Sequence, residues 1–408
     1  MSLTRHRAQR ALPLAFTLSL LLVCLAQAAD SLNVRLIGTC DTPGYANGIA
    51  ADGSYAYVAD FGAGLRVISV ADPAHPVEVG YCDTPGMAFD VTVTGDHAYV
   101  ADYSSGLRVI SVADPAHPVE VGNCDTPPFA VGVTAEGGYV YVATDSSGLR
   151  VISISDPAHP IEVGHCDTPD WAIAVSVVSP YAYVADESAG LRVISVADPT
   201  HPVEVGHADT PDYAYGVAVN DRYAYVAASR SGLRVISVAD PANPAEVGFI
   251  DTPGEAGDVA VEGGSAYLVA SAWLGVISIA DPSNPVVVGY HGTYTNAYGV
   301  TAAGNYIYVA NGDSGLMVYE FYGGGVEEGR PLTARISRSI ATVVRGVLRL
   351  PTSGVKHGAS SVLLDASGRR LMELHQGAND VSRLAPGVYF IREAQAQAQA
   401  VRKIVLTE

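Results

Sequence analysis

The chain has 408 residues, 49% of them hydrophobic, and a formal net charge of −19. It is long enough for several packed units, and too acidic to neutralise the phosphates of nucleic acid or an anionic membrane, which takes clustered Lys and Arg. The charge is unevenly divided: residues 30–329 hold 37 acidic side chains against eight arginines and no lysine, whereas 330–408 hold 12 basic against five acidic. That reversal predicts two units with separate jobs and excludes nucleic acid as a partner of the first.

Residues 1–28 read as an export signal. Arg5, Arg7 and Arg10 form a charged head, Ala11 to Leu25 an apolar run and Ala26-Gln27-Ala28 a small-residue cleavage site. Val23, directly before Cys24, is bulkier than the residue a lipidation site prefers. The run is short for a bilayer span, and no other stretch is long enough. The mature chain is therefore expected to begin near Ala29, to leave the cytoplasm and to carry no transmembrane segment.

From residue 31 to 321 a unit of 42 residues recurs, its closing glycine at Gly80, Gly122, Gly164, Gly206 and Gly248, then one residue early at Gly289. Within the unit that follows Gly80, Val91 to Thr94, His97 to Ala101, Leu107 to Val112 and Val119 to Gly122 alternate apolar and polar positions between Gly, Asp and Pro breaks. That is strand chemistry with period two. A period of about 40 to 50 residues carrying four short strands predicts propeller blades, which bury their faces only against one another. The fold class is all-β: seven blades. The seventh ends after its third strand, Leu316 to Phe321, and Asn33 to Gly38 has the pattern of an unclaimed fourth strand, so the N-terminal strand is expected to close the ring and leave no open sheet edge.

The phrases Tyr-Ala-Tyr-Val-Ala-Asp, Gly-Leu-Arg-Val-Ile-Ser-Val and Ala-Asp-Pro-Ala-His-Pro recur in fixed order, and in them residues 31–321 resemble the LVIVD-repeat family of secreted bacterial β-propellers. The pattern departs at Ala272-Trp273-Leu274-Gly275, one residue short and without its arginine, and at Met317, which replaces the arginine in the last unit. The resemblance implies an exported propeller and no particular chemistry.

Residues 322–334 are a glycine-rich linker by composition. Residues 335–408 predict a small β-sandwich, with a hairpin around Ser367-Gly368 and strands near Val388 and Val401. In Asp365 to Arg370, Leu384 to Phe390 and Arg402 to Leu406 this segment resembles the C-terminal sorting domain of the type IX secretion system, although Thr342 to Leu348 stands where such domains often open with Asn-Pro. The resemblance implies an export address, a partner in the export machinery, and delivery through the periplasm to the outside or outer surface of a Gram-negative-type bacterium.

Repeated residues point to structure. Cys40, Cys82, Cys124 and Cys166 hold one place in successive units, and equivalent points on a seven-fold ring are too far apart for disulfides, which need Cα atoms within ~7 Å. They read as small buried thiols. His75, His117, His159 and His201 are separated by the same argument, with Asn243 and Asn284 in their place later, as suits a polar turn capped by its leading Asp. Arg66, Arg108, Arg150, Arg192 and Arg234 are expected to pair with Glu78, Glu120, Glu162, Glu204 and Glu246 on the next strand. The Asp-Thr-Pro segments read as turns between blades whose Asp bonds its own backbone.

Function is expected where the repeat varies. The position two after each Asp-Thr-Pro is Tyr45, Met87, Phe129, Trp171, Tyr213, Glu255 and, by alignment, Asn296. The loop after the second strand varies too: Asp60-Phe61, Asp102-Tyr103, Thr144-Asp145, Asp186-Glu187, Ser229-Arg230, Ala272-Trp273, and Asn311 with Asp313. Both sets emerge on one face. Tyr45, Phe61, Met87, Tyr103, Phe129, Trp171, Tyr213 and Trp273 form an expected ligand-binding arc with acidic neighbours, suited to sugar rings or peptide side chains, or else plugs between blades. No nucleophile elbow, zinc-spaced cluster or phosphate loop occurs, so neither cofactor nor metal is called for. A hydrolase or lyase at the channel mouth would rest on Asp90 and Asp258, which could also hold a cation.

Overall fold

The computed structural model describes residues 31–126, 129–220, 222–293 and 295–322, and the backbone of seven strands between 342 and 406. The signal-peptide reading of residues 1–28 and most of the linker lie outside the described residues. The chain divides into two units, residues 1–325 and 326–408.

The first unit is a seven-bladed propeller. Blade 1 is Gly48–Asp52, Tyr55–Ala59, Leu65–Ser69 and Val77–Cys82, antiparallel and in that order from the channel outward. Blades 2 to 6 begin at Asp90, Ala130, Ala172, Gly216 and Ala256 and repeat this order; blade 7 begins at Gly299. Seven apolar clusters make up the core, and each straddles a seam. At the seam of blades 1 and 2, for example, Tyr57, Leu65 and Val67 pack on Val91, Val100 and Ile110. No blade has a core of its own, which is why the repeat folds as a ring: each fully buried Val, Leu or Ile adds about 1.5–3 kcal/mol that an isolated blade would forgo.

The N-terminal strand closes the ring as expected. Val34–Cys40 lies against Leu316–Phe321, with Val34 opposite Phe321 and Cys40 opposite Leu316. The structure adds a contact that the pattern did not signal: Ser31 and Leu32 pair with His291 and Tyr290 as a fifth strand of blade 6. Asn33 turns the chain between the two blades at φ 55°, a conformation that Asn tolerates, and its Nδ2 donates to Val288 O at 2.8 Å. One short segment therefore fastens two blades.

The repeated residues have structural work. A Cβ at Gly80 would lie 2.3 Å from Pro115 O, and at Gly122 2.3 Å from Pro157 O, so the closing glycine lets these outer strands meet the turn of the next blade; in blade 6 Gly289 instead makes room for Phe321 and Val34. The arginines pair with the outer-strand glutamates, from 3.2 Å for Arg108–Glu120 to 3.7 Å for Arg66–Glu78. Arg66 and Arg234 are roofed by Tyr81 and Phe249, each ring centroid 4.7 Å away. The turn aspartates cap their own backbone, Asp72 Oδ1 accepting from Ala74 N at 3.1 Å and Asp114 Oδ1 from Ala116 N at 3.1 Å. Cys40, Cys82, Cys124 and Cys166 are free and half-buried, and burial pushes all four thiols up.

In the second unit the strands form a three-stranded sheet, Thr342–Val344, Val347–Leu350 and Gly377–Asp380, and a four-stranded sheet, Ser361–Leu364, Arg370–Leu374, Gly387–Glu393 and Val401–Leu406. Ser361–Leu364 pairs with Arg370–Leu374, the hairpin read around Ser367-Gly368. The side chains on which a sandwich would rest lie outside the described residues. Among the described residues no helix is long and apolar enough to cross a membrane.

Candidate functional site

The face that carries the variable residues is built on a repeated backbone clamp. The loop residue after the second strand exchanges main-chain hydrogen bonds with the alanine that opens the next blade: Phe61 N to Ala88 O at 3.1 Å and back at 2.9 Å, and Tyr103 with Ala130 at 3.0 Å both ways. Glu187 meets Ala214, Ser229 meets Ala256 and Gly312 meets Ala46 in the same bridge. The clamp goes with positive φ, 49° at Phe61, 47° at Tyr103, 35° at Glu187 and 45° at Ser229, and Ser271, which keeps one of the two bonds by accepting from Ala297 N at 3.0 Å, stands at 50°. In this left-handed region an L side chain costs about 1–2 kcal/mol. Gly312, at φ 52°, is what the backbone alone would select. Blades 1, 2, 4, 5 and 6 carry a side chain there all the same.

The alanines at this position in all seven blades, Ala46, Ala88, Ala130, Ala172, Ala214, Ala256 and Ala297, are buried. Period-two alternation turns the residues on either side of each alanine away from the core, giving two concentric sets. The outer set is the one read from the sequence, Tyr45 through Asn296. The inner set, which that reading missed, is Asn47, Phe89, Val131, Ile173, Tyr215, Gly257 and Tyr298, and every member lines a cavity of about 430 Å³ at the channel mouth. The signal was present: this column varies as widely as its neighbour while the alanine between them never changes.

Four of the expected arc residues belong to one continuous aromatic chain. Tyr45 meets Phe61 edge to face at 6.5 Å, Phe61 meets Phe89 at 5.3 Å, Phe89 stacks on Tyr103 at 5.1 Å, and Tyr103 stacks on Phe129 at 4.2 Å with the rings 8° apart. Tyr298 extends it, the Tyr45 hydroxyl donating to that of Tyr298 at 2.6 Å. These rings partly cover one another, so seam filling and recognition are shared among them. The aromatic and sulfur groups that stand clear are Trp171 at 50% exposure, Tyr213 at 45%, Met87 at 40% and Tyr298 at 37%.

Trp273 does not join the arc. The one-residue deletion puts it where other blades have the glycine before Leu, and puts Gly275 where they have arginine; the indole folds over Gly275, so close that a Cβ there would lie 2.0 Å from it. It fills the space of the missing arginine. The acidic neighbours also divide. Asp60, Asp102 and Asp186 are fully buried rather than on the face. Asp60 accepts from Thr42 Oγ1 at 2.7 Å and Gly44 N at 2.8 Å, and Asp102 accepts in the same way from Thr84 and Gly86. The Asp-Thr-Pro connection is thus held by its threonine rather than by an Asp bonded to its own backbone; Asp83 and Asp167 instead reach Arg66 at 3.4 Å and Arg150 at 3.6 Å. Burial raises the Asp60, Asp102 and Asp186 carboxyls, against the lowering effect of these hydrogen bonds and the neighbouring arginines.

Most of the acids that do reach the face lie on blades 3 to 6, with Asp313 on blade 7 beside Tyr45. Burial and the charges of Asp170, Asp145 and Asp186 push Glu187 up. Asp170 accepts from Ser188, and Glu255 accepts from Arg230 Nε at 2.8 Å.

Asp90 and Asp258 stand at equivalent places near the start of the inner strands of blades 2 and 6, where other blades have glycine or Ala174. Each ties its blade to the next. Asp90 accepts from Val91 N at 2.8 Å and Val133 N at 2.9 Å, and Asp258 from Val259 N at 2.8 Å and Val300 N at 2.9 Å. Gly48 and Gly216 make room, since a Cβ at either would lie 2.7 or 2.9 Å from the carboxylate oxygen. Burial pushes the two carboxyls up to about 6 and about 7, the latter raised further by the charge of Asp90.

Solved structures share the fold at low identity. A computationally designed protein, Ika8, is 6% identical with a TM-score of 0.54 over 70% of this chain and 99% of its own. U3-55K is 10% identical, with a TM-score of 0.58 over 72% and 99%, and a chain of the mitotic checkpoint complex is 11% identical, with a TM-score of 0.61 over 71% and 95%. No curated protein matches. The LVIVD repeat matches seven consecutive segments, 43–84, 85–126, 129–168, 171–210, 211–252, 253–293 and 295–319. These segments coincide with the seven blades, and the chain belongs to the LVIVD-repeat family.

Proposed function

We propose that the chain is a secreted or cell-surface propeller acting as a non-catalytic binding or scaffolding module for a protein or carbohydrate ligand. The observation that supports this is the clamp: five blades keep a side chain at positive φ where glycine would relieve strain, and its identity changes from blade to blade. Non-Gly residues in such conformations gather at functional sites. Propellers as a fold serve many functions, so the reading rests on the face and not on the architecture.

The alternative, a hydrolase or lyase at the channel mouth, draws on the raised carboxyls of Asp90 and Asp258. Both acids already hold two backbone amides, which accounts for them as ties between blades. Glycan and peptide arrays probed with the full chain test the binding reading: ligands lost on Trp171→Ala and Tyr213→Ala support it. Turnover of a glycan or ester that disappears with Asp90→Ala or Asp258→Ala would replace it with the enzyme.

Export is part of the proposal. The charged head and apolar run of residues 1–28 support passage into the periplasm, and the resemblance of 335–408 to a sorting domain supports delivery beyond it. Deleting 331–408 is expected to strand the protein in the periplasm; normal surface delivery of the truncated chain would remove the sorting role.

A further inference from the structure

The fully buried carboxylates of the blades are answered by arginine, whereas the half-buried Asp90 and Asp258 are not. Arg66, Arg108 and Arg192 bring Nε to 3.7, 3.7 and 3.5 Å from Asp60, Asp102 and Asp186. Asp90 and Asp258 accept from backbone amides and, among the described residues, pair with no basic side chain. They face one cavity of about 430 Å³, whose wall also holds Glu255, Phe89, Tyr215 and Tyr298 and, among the described residues, no basic side chain. Three aromatic rings from blades 2, 5 and 7 therefore surround a space into which two aspartates, from blades 2 and 6, bring charge with no basic partner among the described residues, while the third carboxylate, Glu255, is already paired with Arg230 at 2.8 Å.

Resting on the binding-face reading above, we propose that the channel mouth receives the guanidinium of an arginine side chain presented by a partner polypeptide. A guanidinium is planar, weakly hydrated and forked, so it stacks on an aromatic rim while donating to carboxylates. A carboxylate has about four lone-pair sites, and two amide bonds leave each aspartate with acceptor capacity. A bare metal ion fits poorly: calcium takes about six to eight oxygens, the rim offers rings instead, and among the described residues no group of three or more His, Cys, Asp and Glu is placed to hold a metal. The flexible stem of an arginine carries the charge past the rim, and the exposed Met87, Trp171 and Tyr213 outside it offer contacts for flanking residues.

The test is a calorimetric titration of the full chain with a short Gly-Ser peptide bearing one central arginine, and with its citrulline counterpart, which keeps the shape and loses the charge. The arginine peptide is expected to bind at least tenfold tighter than the citrulline peptide, and to lose at least tenfold in affinity to the Asp90→Ala/Asp258→Ala double variant. Alanine stands at this position in blade 4, so the variant keeps a side chain the repeat already accepts. Equal affinity for both peptides, absence of binding, or full affinity in the double variant would overturn the proposal. So would tighter binding of a lysine peptide, of a glucosamine oligosaccharide or of calcium, which would assign the site to another cation. A ligand from the arrays that depends on Trp171 and Tyr213 but ignores the double variant would leave the binding face standing and remove the arginine pocket. If no ligand responds to either pair of substitutions, both readings fall.

Discussion

The two faces of the propeller are built from the same blades and differ in what is allowed to change. On one, the turn between third and fourth strands recurs with nearly one chemistry: His75, His117, His159 and His201 bond the leading aspartate through Nδ1 at 2.9 to 3.2 Å, and Asn243 does the same at 2.9 Å. On the other, the backbone clamp recurs and the side chains upon it do not: Phe61, Tyr103, Glu187, Ser229, Ser271 and Gly312 occupy one conformation. A repeat that varied by drift would be expected to settle on glycine at a left-handed position. Variation on a constant and strained backbone is the mark of recognition, and constancy the mark of assembly.

Substitutions sharpen this contrast, beginning where the effect is largest. Asp102→Ala leaves the Thr84 hydroxyl and the Gly86 amide in a buried site without their acceptor and takes away one of the two carboxylates beside Arg108, which keeps Glu120, and is expected to lower stability by about 3–5 kcal/mol in denaturant titration. A loss under 1 kcal/mol would mean that the repeated network is not what holds the seams. Next is the pair Asp90 and Asp258. An acid whose carboxyl is raised in the folded state contributes its stability below its ordinary range, near pH 4, and loses it as pH rises through about 6 and about 7. The stability of Asp90→Ala/Asp258→Ala relative to the parent is therefore expected to climb between pH 4 and pH 8 in denaturant titrations. The swing should be roughly 2 kcal/mol or more, since each tenfold change in proton affinity on folding is worth about 1.4 kcal/mol. A flat difference would show that channel water solvates both charges.

Gly80→Ala puts a methyl 2.3 Å from the Pro115 carbonyl, against backbone that cannot step aside cheaply. We expect a loss of about 1–3 kcal/mol. The smallest effect has the opposite sign: Glu187→Gly relieves the strain at φ 35° and the crowding with Asp170 and Asp145, and is expected to raise stability by about 1 kcal/mol. Destabilisation there would mean that the side chain serves the fold, and the contrast between faces would weaken.

Much of the assembly was legible because a ring of repeats writes its seams into a period. The seven blades followed from the glycine spacing, and closure from a missing strand at one end and a spare one at the other. The fifth strand at Ser31 and Leu32 was not legible, since two residues carry no alternation. On the face, half of the pattern could be read. Tyr45, Phe61, Tyr103 and Phe129 were placed together from their loops, whereas Phe89, Tyr215 and Tyr298 sit inside what looks like the start of a strand and needed the invariant alanine as a pivot. Trp273 misled because a deletion shifts register: a residue that aligns with a loop by type takes a glycine's place by position. Asp60 and its equivalents misled because an aspartate beside a variable loop residue reads as surface, while only the threonine of the preceding connection shows that it is buried.

The most direct measurement compares the two faces on one set of arrays. Peptide and glycan arrays would be probed with the parent chain, with Met87→Ala/Trp171→Ala/Tyr213→Ala on the variable face, and with His75→Ala/His117→Ala/His159→Ala on the turn face. All of these side chains are exposed, so folding is expected to survive in each. Signals that vanish only with the variable-face variant are the predicted result. Signals that vanish with the turn-face variant and persist with the other would contradict the claim that recognition resides where the repeat varies.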